Sequence, residues 1–131
     1  MNIFLKTCAL ILCVLSCNVH AYDFYFRNDY RYPATFTLDY TGGQALCFKD
    51  TRTVAANGGH ADLDSLACCW NKVTIDCNGK RVHFSNDVYK WYQIGASCDS
   101  GTVFWIHADG SYGISNNKRK GMRNKTIGHL H

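Results

Sequence analysis

The sequence predicts an all-β protein: a small antiparallel β-sandwich, or a flattened barrel, of about eight short strands stapled by disulfides. Three observations predict it. The chain contains no Glu, and Leu and Ala are sparse after residue 21, so the residues that favour helices are missing. Apolar and polar residues alternate in short runs, broken by Gly, Asn and Asp turn signals at roughly 8 to 12 residue spacing. Five cysteines (47, 68, 69, 77 and 98) follow a start that reads as an export signal, and in an oxidising compartment disulfides are their default state.

That start has a short n-region, "MNIFLK", an apolar run, "CALILCVLSC", and a small-residue cleavage site at Val19-His20-Ala21. Residues 1–21 therefore read as a secretory signal peptide, and the exported chain is expected to begin at Tyr22. The apolar run is shorter than the ~20 residues a membrane-spanning helix needs, and no later stretch is long enough, so no transmembrane segment is expected. The implied location is secreted or periplasmic. A lipoprotein is the alternative, because Val14-Leu15-Ser16-Cys17 loosely fits the lipidation pattern and would anchor the chain at Cys17. The 110 residues that follow suffice for one core and one domain, expected over 22–115. Residues 22–115 hold eight Lys or Arg against ten Asp, whereas 116–131 hold five Lys or Arg and no acid. Lacking an apolar period, that last segment reads as a disordered basic tail.

"YDFYFRN" (22–28) and "ATFTLDY" (34–40) both alternate, and Asn28 to Pro33 supplies a turn, which suggests an opening hairpin. "ALCFKD" suits a short edge strand; "TRTVAA" leads to Asn57-Gly58-Gly59, and "HADLDSL" alternates again. "CCWNKVTIDCNGKRVHFS" sets Val73 and Ile75 against Thr74 and Asp76, turns at Asn78-Gly79 and returns through Val82 and Phe84. Asn-Gly suits a type I′ turn because both central residues accept positive φ. "VYKWYQI" and "TVFWIHA" are rich in aromatic and β-branched residues, and Asp109-Gly110 before "SYGIS" suggests a last hairpin.

The cysteines read as staples. If residues 69–77 form one strand, Cys69 and Cys77 lie about 26 Å apart at ~3.3 Å per residue, and a disulfide needs Cα atoms within ~7 Å. Cys77 must then bond elsewhere. Alternation puts Cys69, and not Cys68, on the face of Val73 and Ile75. Five cysteines allow fifteen ways to form two bonds and spacing does not decide among them; the expectation chosen is Cys77 with Cys98 and Cys47 with Cys68, leaving Cys69 a buried free thiol, with a strained Cys68–Cys69 bridge as an alternative. No C-x2-C pair exists and the histidines fall singly, so neither a metal nor another cofactor is expected.

For catalysis the candidates are Asp62-x-Asp64, His107 with Asp99 and Ser100, and His83. An acidic solvent face gives the first pattern equally well, and a Ser-His-Asp set is defined by geometry rather than spacing. Aromatics are the more unusual feature. In "VYKWYQI" a strand would put Val88, Tyr92 and Ile94 on one face and Tyr89 and Trp91 on the other, exposing the latter pair for binding. The basic run (Lys118, Arg119, Lys120, Arg123, Lys125) suits an anionic surface, and with no aromatics interleaved it does not suit nucleic acid. The expectation is a non-enzymatic exported module that binds a protein or glycan through a sheet face or loops. The alternative is a membrane-active protein meeting anionic lipid, and a small secreted hydrolase comes third.

Overall fold

The structure, a computed structural model, describes residues 23–41, 47–65, 68–89, 96–118 and 120–131. Nine strands in this part form two sheets. They are β1 (Asp23–Asn28), β2 (Ala34–Tyr40), β3 (Asp50–Val54), β4 (Gly59–Asp64), β5 (Trp70–Cys77), β6 (Lys80–Ser85), β7 (Thr102–Ile106), β8 (Ser111–Ser115) and β9 (Lys125–His129). One sheet runs β4-β1-β7-β8-β9 and the other β3-β2-β5-β6. The all-β sandwich expected from the sequence is what the chain forms, with one difference in detail: β1 and β7 pair in parallel.

The period-2 alternation supplies the core directly. Phe24 and Phe26 from β1, Phe36 and Leu38 from β2, Val73 and Ile75 from β5, and Phe104 and Ile106 from β7 all point inward and are almost fully buried. Phe26 meets Phe36 across the two sheets at 5.1 Å, and Trp70 packs edge-on against Phe104 at 5.1 Å. Two hairpins form where the turn residues predict them. Asn78 and Gly79 both take positive φ between β5 and β6, and Gly110 does so between β7 and β8.

The opening hairpin does not form. β1 pairs with β4 and β7, and β2 pairs with β3 and β5, so residues 28–33 cross from one sheet to the other. The buried Asn28 organises this crossing. Its Nδ2 donates to the Tyr32 carbonyl at 2.8 Å, its Oδ1 accepts from the Tyr30 amide at 3.0 Å, and its own carbonyl accepts from the Gly58 amide at 2.8 Å. The local alternation of both strands was legible, but alternation does not say whether neighbours pair edge to edge or stack face to face.

β5 contains a bulge. Asp39 pairs with Lys72 but Tyr40 with Trp70, so Asn71 has no partner in β2. The extra residue shifts the phase of alternation, which turns Trp70 and Cys68 inward and Cys69 away from the core face. The disulfides follow this phase. Cys47 bonds Cys68 as expected, whereas Cys69 bonds Cys98, with Cα atoms 4.3 Å apart. The expected Cys77–Cys98 bond and free Cys69 are therefore corrected: Cys77 is the buried free thiol, its Sγ directed at the Tyr32 carbonyl at 3.9 Å. The length of β5 separates Cys77 from Cys98 by the same argument that separates it from Cys69.

Two further expectations are overturned. Residues 86–89 form a 3-10 turn rather than a strand; Ser85 Oγ donates to Asp87 at 2.6 Å, and Asn86 Nδ2 to the Trp70 carbonyl at 3.2 Å. Strand alternation thus does not apply, and Tyr89 is buried against Trp70 instead of exposed. The described residues of 116–131 are not a frayed tail. β9 pairs with β8, and the side chains of Met122 and Leu130 are buried. The signal-peptide segment 1–21, the alternative anchor Cys17, Trp91 and Arg119 lie outside the described residues.

Truncation after Ser115 should lower the melting temperature by about 10 °C or more, since losing a buried Met side chain alone costs ~2–5 kcal/mol and each kcal/mol shifts a domain of this size by ~4–8 °C. Peptide mapping without reduction should recover Cys47–Cys68 and Cys69–Cys98. Cys77 should resist alkylation until the protein is unfolded, because burial raises its thiol pKa as well as blocking access. Each bond closes a loop worth ~3 kcal/mol in the chain-entropy account, so reduction should destabilise strongly.

Candidate functional site

The side of the five-stranded sheet that faces away from the core carries the most distinctive surface. The odd-numbered residues of β1 point there, since Phe24 and Phe26 point in. In the β-sheet register Tyr25 stands between Asp62 of β4 and Val103 of β7, and Arg27 between His60 and Trp105. Two short rows, Asp62-Tyr25-Val103 and His60-Arg27-Trp105, therefore lie side by side. Together with Phe26 and Ala61, all of these except Trp105 line an open cleft of about 480 Å³. Tyr25 is 40 % exposed at its floor.

Arg27 is held in place. Its Nε donates to both carboxylate oxygens of Asp29, at 3.0 and 3.2 Å, and this pairing raises the guanidinium pKa. Beside it Trp105 is buried although it is on the outward side, because it lies against Gly113 and stacks on His107 at 3.8 Å. A Cβ on Gly113 would sit 2.6 Å from the Trp105 ring, so only glycine leaves room for the indole to lie flat there.

The outward side of the other sheet differs in one respect that matters. It too has a groove, lined by Asp39, Lys49, Lys72, Asp76, Arg81 and His83 among others. Its charges are satisfied internally: Lys49 and Lys72 reach Asp39 at 3.5 and 3.9 Å, and Arg81 meets Asp76 at 2.7 Å. No ion pair among the described residues involves Asp62 or His60 of the first cleft. A surface whose polar groups pair with one another is a solvated face; one that holds unpaired groups around an exposed ring can recognise something.

The catalytic candidates are not assembled. Asp62 lines the cleft and Asp64 follows on the same strand face opposite Asp23. Asp99 and Ser100 precede β7, whereas His107 follows it, so the length of that strand keeps the trio apart. His83 lines the groove of the other sheet. Among the described residues no three His, Cys, Asp or Glu side chains converge as metal ligands.

Of the predicted binding residues, Tyr89 belongs to the core, and its hydroxyl lies near Thr102, Asn116 and Trp70 without an ordinary hydrogen bond to any of them. Lys125 is committed to the Val88 carbonyl at 3.0 Å. Lys118 and Arg123 are exposed on the loop between β8 and β9, and Lys120 begins its 3-10 turn. That loop is anchored. The buried Asn116 donates from Nδ2 to Thr102 Oγ1 at 2.8 Å and accepts at Oδ1 from the Lys118 amide at 3.0 Å, and its own amide reaches the Met122 carbonyl at 2.6 Å. The sequence reading missed Tyr25, Arg27 and His60; the signal available was the outward phase of β1, which sets an aromatic and a cation on the same face.

Comparison of the chain with protein-family models, curated proteins and solved structures finds no match. Two disulfides suit an oxidising compartment, and no helix among the described residues is long and apolar enough to cross a membrane.

Gly113→Ala should lower stability by at least ~1–3 kcal/mol, the cost of overpacking, because its Cβ would meet the Lys125 carbonyl of the paired β9 as well as the Trp105 ring. The check is thermal unfolding together with Trp fluorescence, which should report greater solvent exposure.

Proposed function

We propose that this is an exported, non-enzymatic binding protein that holds a glycan against the outward face of the β4-β1-β7 sheet. The observation that carries the reading is the exposed Tyr25 ring beside Asp62, a carboxylate with no ion pair among the described residues, with the positioned guanidinium of Arg27 two residues further along the same strand face. A pyranose ring presents apolar C–H groups on its faces and hydroxyls around its edge. Tyr25 and Val103 offer the apolar floor for the first, and Asp62, His60 and the Nη groups of Arg27 offer acceptors and donors for the second. Rigid strands carry all of these groups, so little ordering is needed on binding. Export is part of the reading: the signal-like segment 1–21 and two disulfides support it together.

Affinity electrophoresis through gels containing neutral and acidic polysaccharides tests the proposal, with glycan-array screening to name the ligand. The wild type should be retarded by at least one polysaccharide. Tyr25→Ala should weaken that binding at least tenfold, equivalent to about 1.4 kcal/mol, while its melting temperature stays unchanged. Retardation that survives Tyr25→Ala, or no glycan bound by either method, would overturn it.

A further inference from the structure

The strand register makes the charge around the Tyr25 cleft one-sided. Tyr25 stands directly opposite Asp62, and the next pair along the same face of β1 and β4 is Asp23 opposite Asp64. Residues directly opposite in an antiparallel pair hold their Cβ atoms about 4.5–5.5 Å apart, so Asp62 stands at the edge of the tyrosine ring. Both line the cleft, and Asp62 and Asp64 are exposed.

Cations do not offset these acids. Arg27 is the one Lys or Arg in β1, β4 and β7, and its Nε is taken by both carboxylate oxygens of Asp29. Arg123 is two strands away from Tyr25, beyond Val103 of β7 and Ser115 of β8, whose hydroxyl donates to the Arg123 carbonyl. Arg52 belongs to the other sheet and donates to the Thr51 carbonyl at 3.0 Å. Among the described residues no ion pair involves Asp23 or Asp62. With Arg27 and Asp29 cancelling, the end of the cleft at Tyr25 is negative.

That charge decides what kind of sugar the cleft suits. A uronic acid or a sulfated sugar would be repelled, and a neutral hydroxyl would leave the carboxylate uncompensated. An ammonium group donates to a carboxylate in charge-assisted hydrogen bonds, roughly twice as strong as neutral ones, and the π face of a neighbouring tyrosine favours a positive charge as well. A metal ion would require several converging oxygen or nitrogen ligands, and no three such side chains converge among the described residues.

We propose that the glycan held in this cleft is an amino-sugar polymer with free amines, one ammonium group bonding Asp62 while its ring lies on Tyr25. The proposal rests on the glycan reading and narrows it. Val103 extends the apolar floor, and His60 and the Nη groups of Arg27 are left for the hydroxyls of the sugar.

Isothermal titration tests it with three tetrasaccharides that share one β-1,4 backbone: glucosamine with free amines, N-acetylglucosamine and glucose. The free-amine tetramer should bind at least about tenfold more tightly than the other two at low salt, and that margin should shrink as salt rises. Asp62→Asn should abolish the margin. Tyr25→Ala should weaken the free-amine tetramer about tenfold or more. Equal affinity for the three tetramers, or a margin that survives Asp62→Asn, would overturn the proposal. Free-amine binding indifferent to Tyr25→Ala would overturn it too, since a polycation attracted to acidic surface in general does not need the ring. Failure of the free-amine tetramer while another polysaccharide binds in a Tyr25-dependent way overturns the amine assignment alone, whereas a protein that binds no glycan overturns the glycan reading with it.

Discussion

One extra residue in β5 determines more of this structure than any other local feature. Inward positions along the strand count back from Cys77 through Ile75 and Val73, and regular alternation would continue through Asn71 to Cys69. The bulge at Asn71 breaks that count. It places Trp70, the largest fully buried side chain, at the centre of an aromatic cluster with Phe84, Tyr89 and Phe104. It also gives the adjacent cysteines opposite partners. Cys68 turns in and ties the segment before β3, whereas Cys69 turns away and ties the segment before β7. Core packing and covalent frame therefore rest on the same irregularity, and a strand without it would have to find other solutions for both.

The C-terminal segment shows how little apolar sequence is needed to fix a chain onto a finished core. Residues 116–131 have no helical or strand period that spans them, yet Met122 and Leu130 each reach the interior singly. Between them β9 extends the sheet through backbone hydrogen bonds, with Ile127 packed against the edge of the core and Gly128 leaving room for Tyr112. Asn116 does the remaining work as a buried polar group with donor and acceptor both satisfied. The consequence is geometric: Lys118 and Arg123 sit on a loop whose backbone is anchored, not on a free tail. An anchored backbone has less entropy to lose on binding than a free segment.

The legible part of the fold was whatever depends on short-range pattern. Alternation identified the inward residues of β1, β2 and β5, and turn chemistry placed the Asn78-Gly79 and Asp109-Gly110 hairpins. What was not legible depends on phase or on pairing across distance. A bulge leaves no composition signature, so Cys69 and Cys77 exchanged roles. A 3-10 turn after Ser85 reads as a strand because Val88 and Tyr89 are good strand residues, and Tyr89 was consequently placed outside. Of the site, Asp62 was singled out from sequence, but its setting was not: Tyr25 becomes its neighbour only through the pairing of β1 with β4, which are separated in the chain by two strands of the other sheet.

An exposed aromatic side chain is not informative by itself, because every soluble protein shows some apolar surface. Here the core is already filled by Phe24, Phe26, Phe36, Phe84, Phe104, Trp70 and Tyr89, and the bonds that set Tyr25 and Phe48 outside are among the most constrained in the molecule. Tyr25 is on the central part of β1, paired on both sides, and Phe48 is adjacent to a disulfide. Neither can retreat inward without breaking a strand ladder or straining a covalent bond. Each also has charged groups nearby: Asp62 and Arg27 around the tyrosine, Lys49 and Asp50 directly after the phenylalanine in the chain. The first set lies on a sheet face and the second at the end of the strands, so the two surfaces look in roughly perpendicular directions. A ligand on the face therefore leaves the end free.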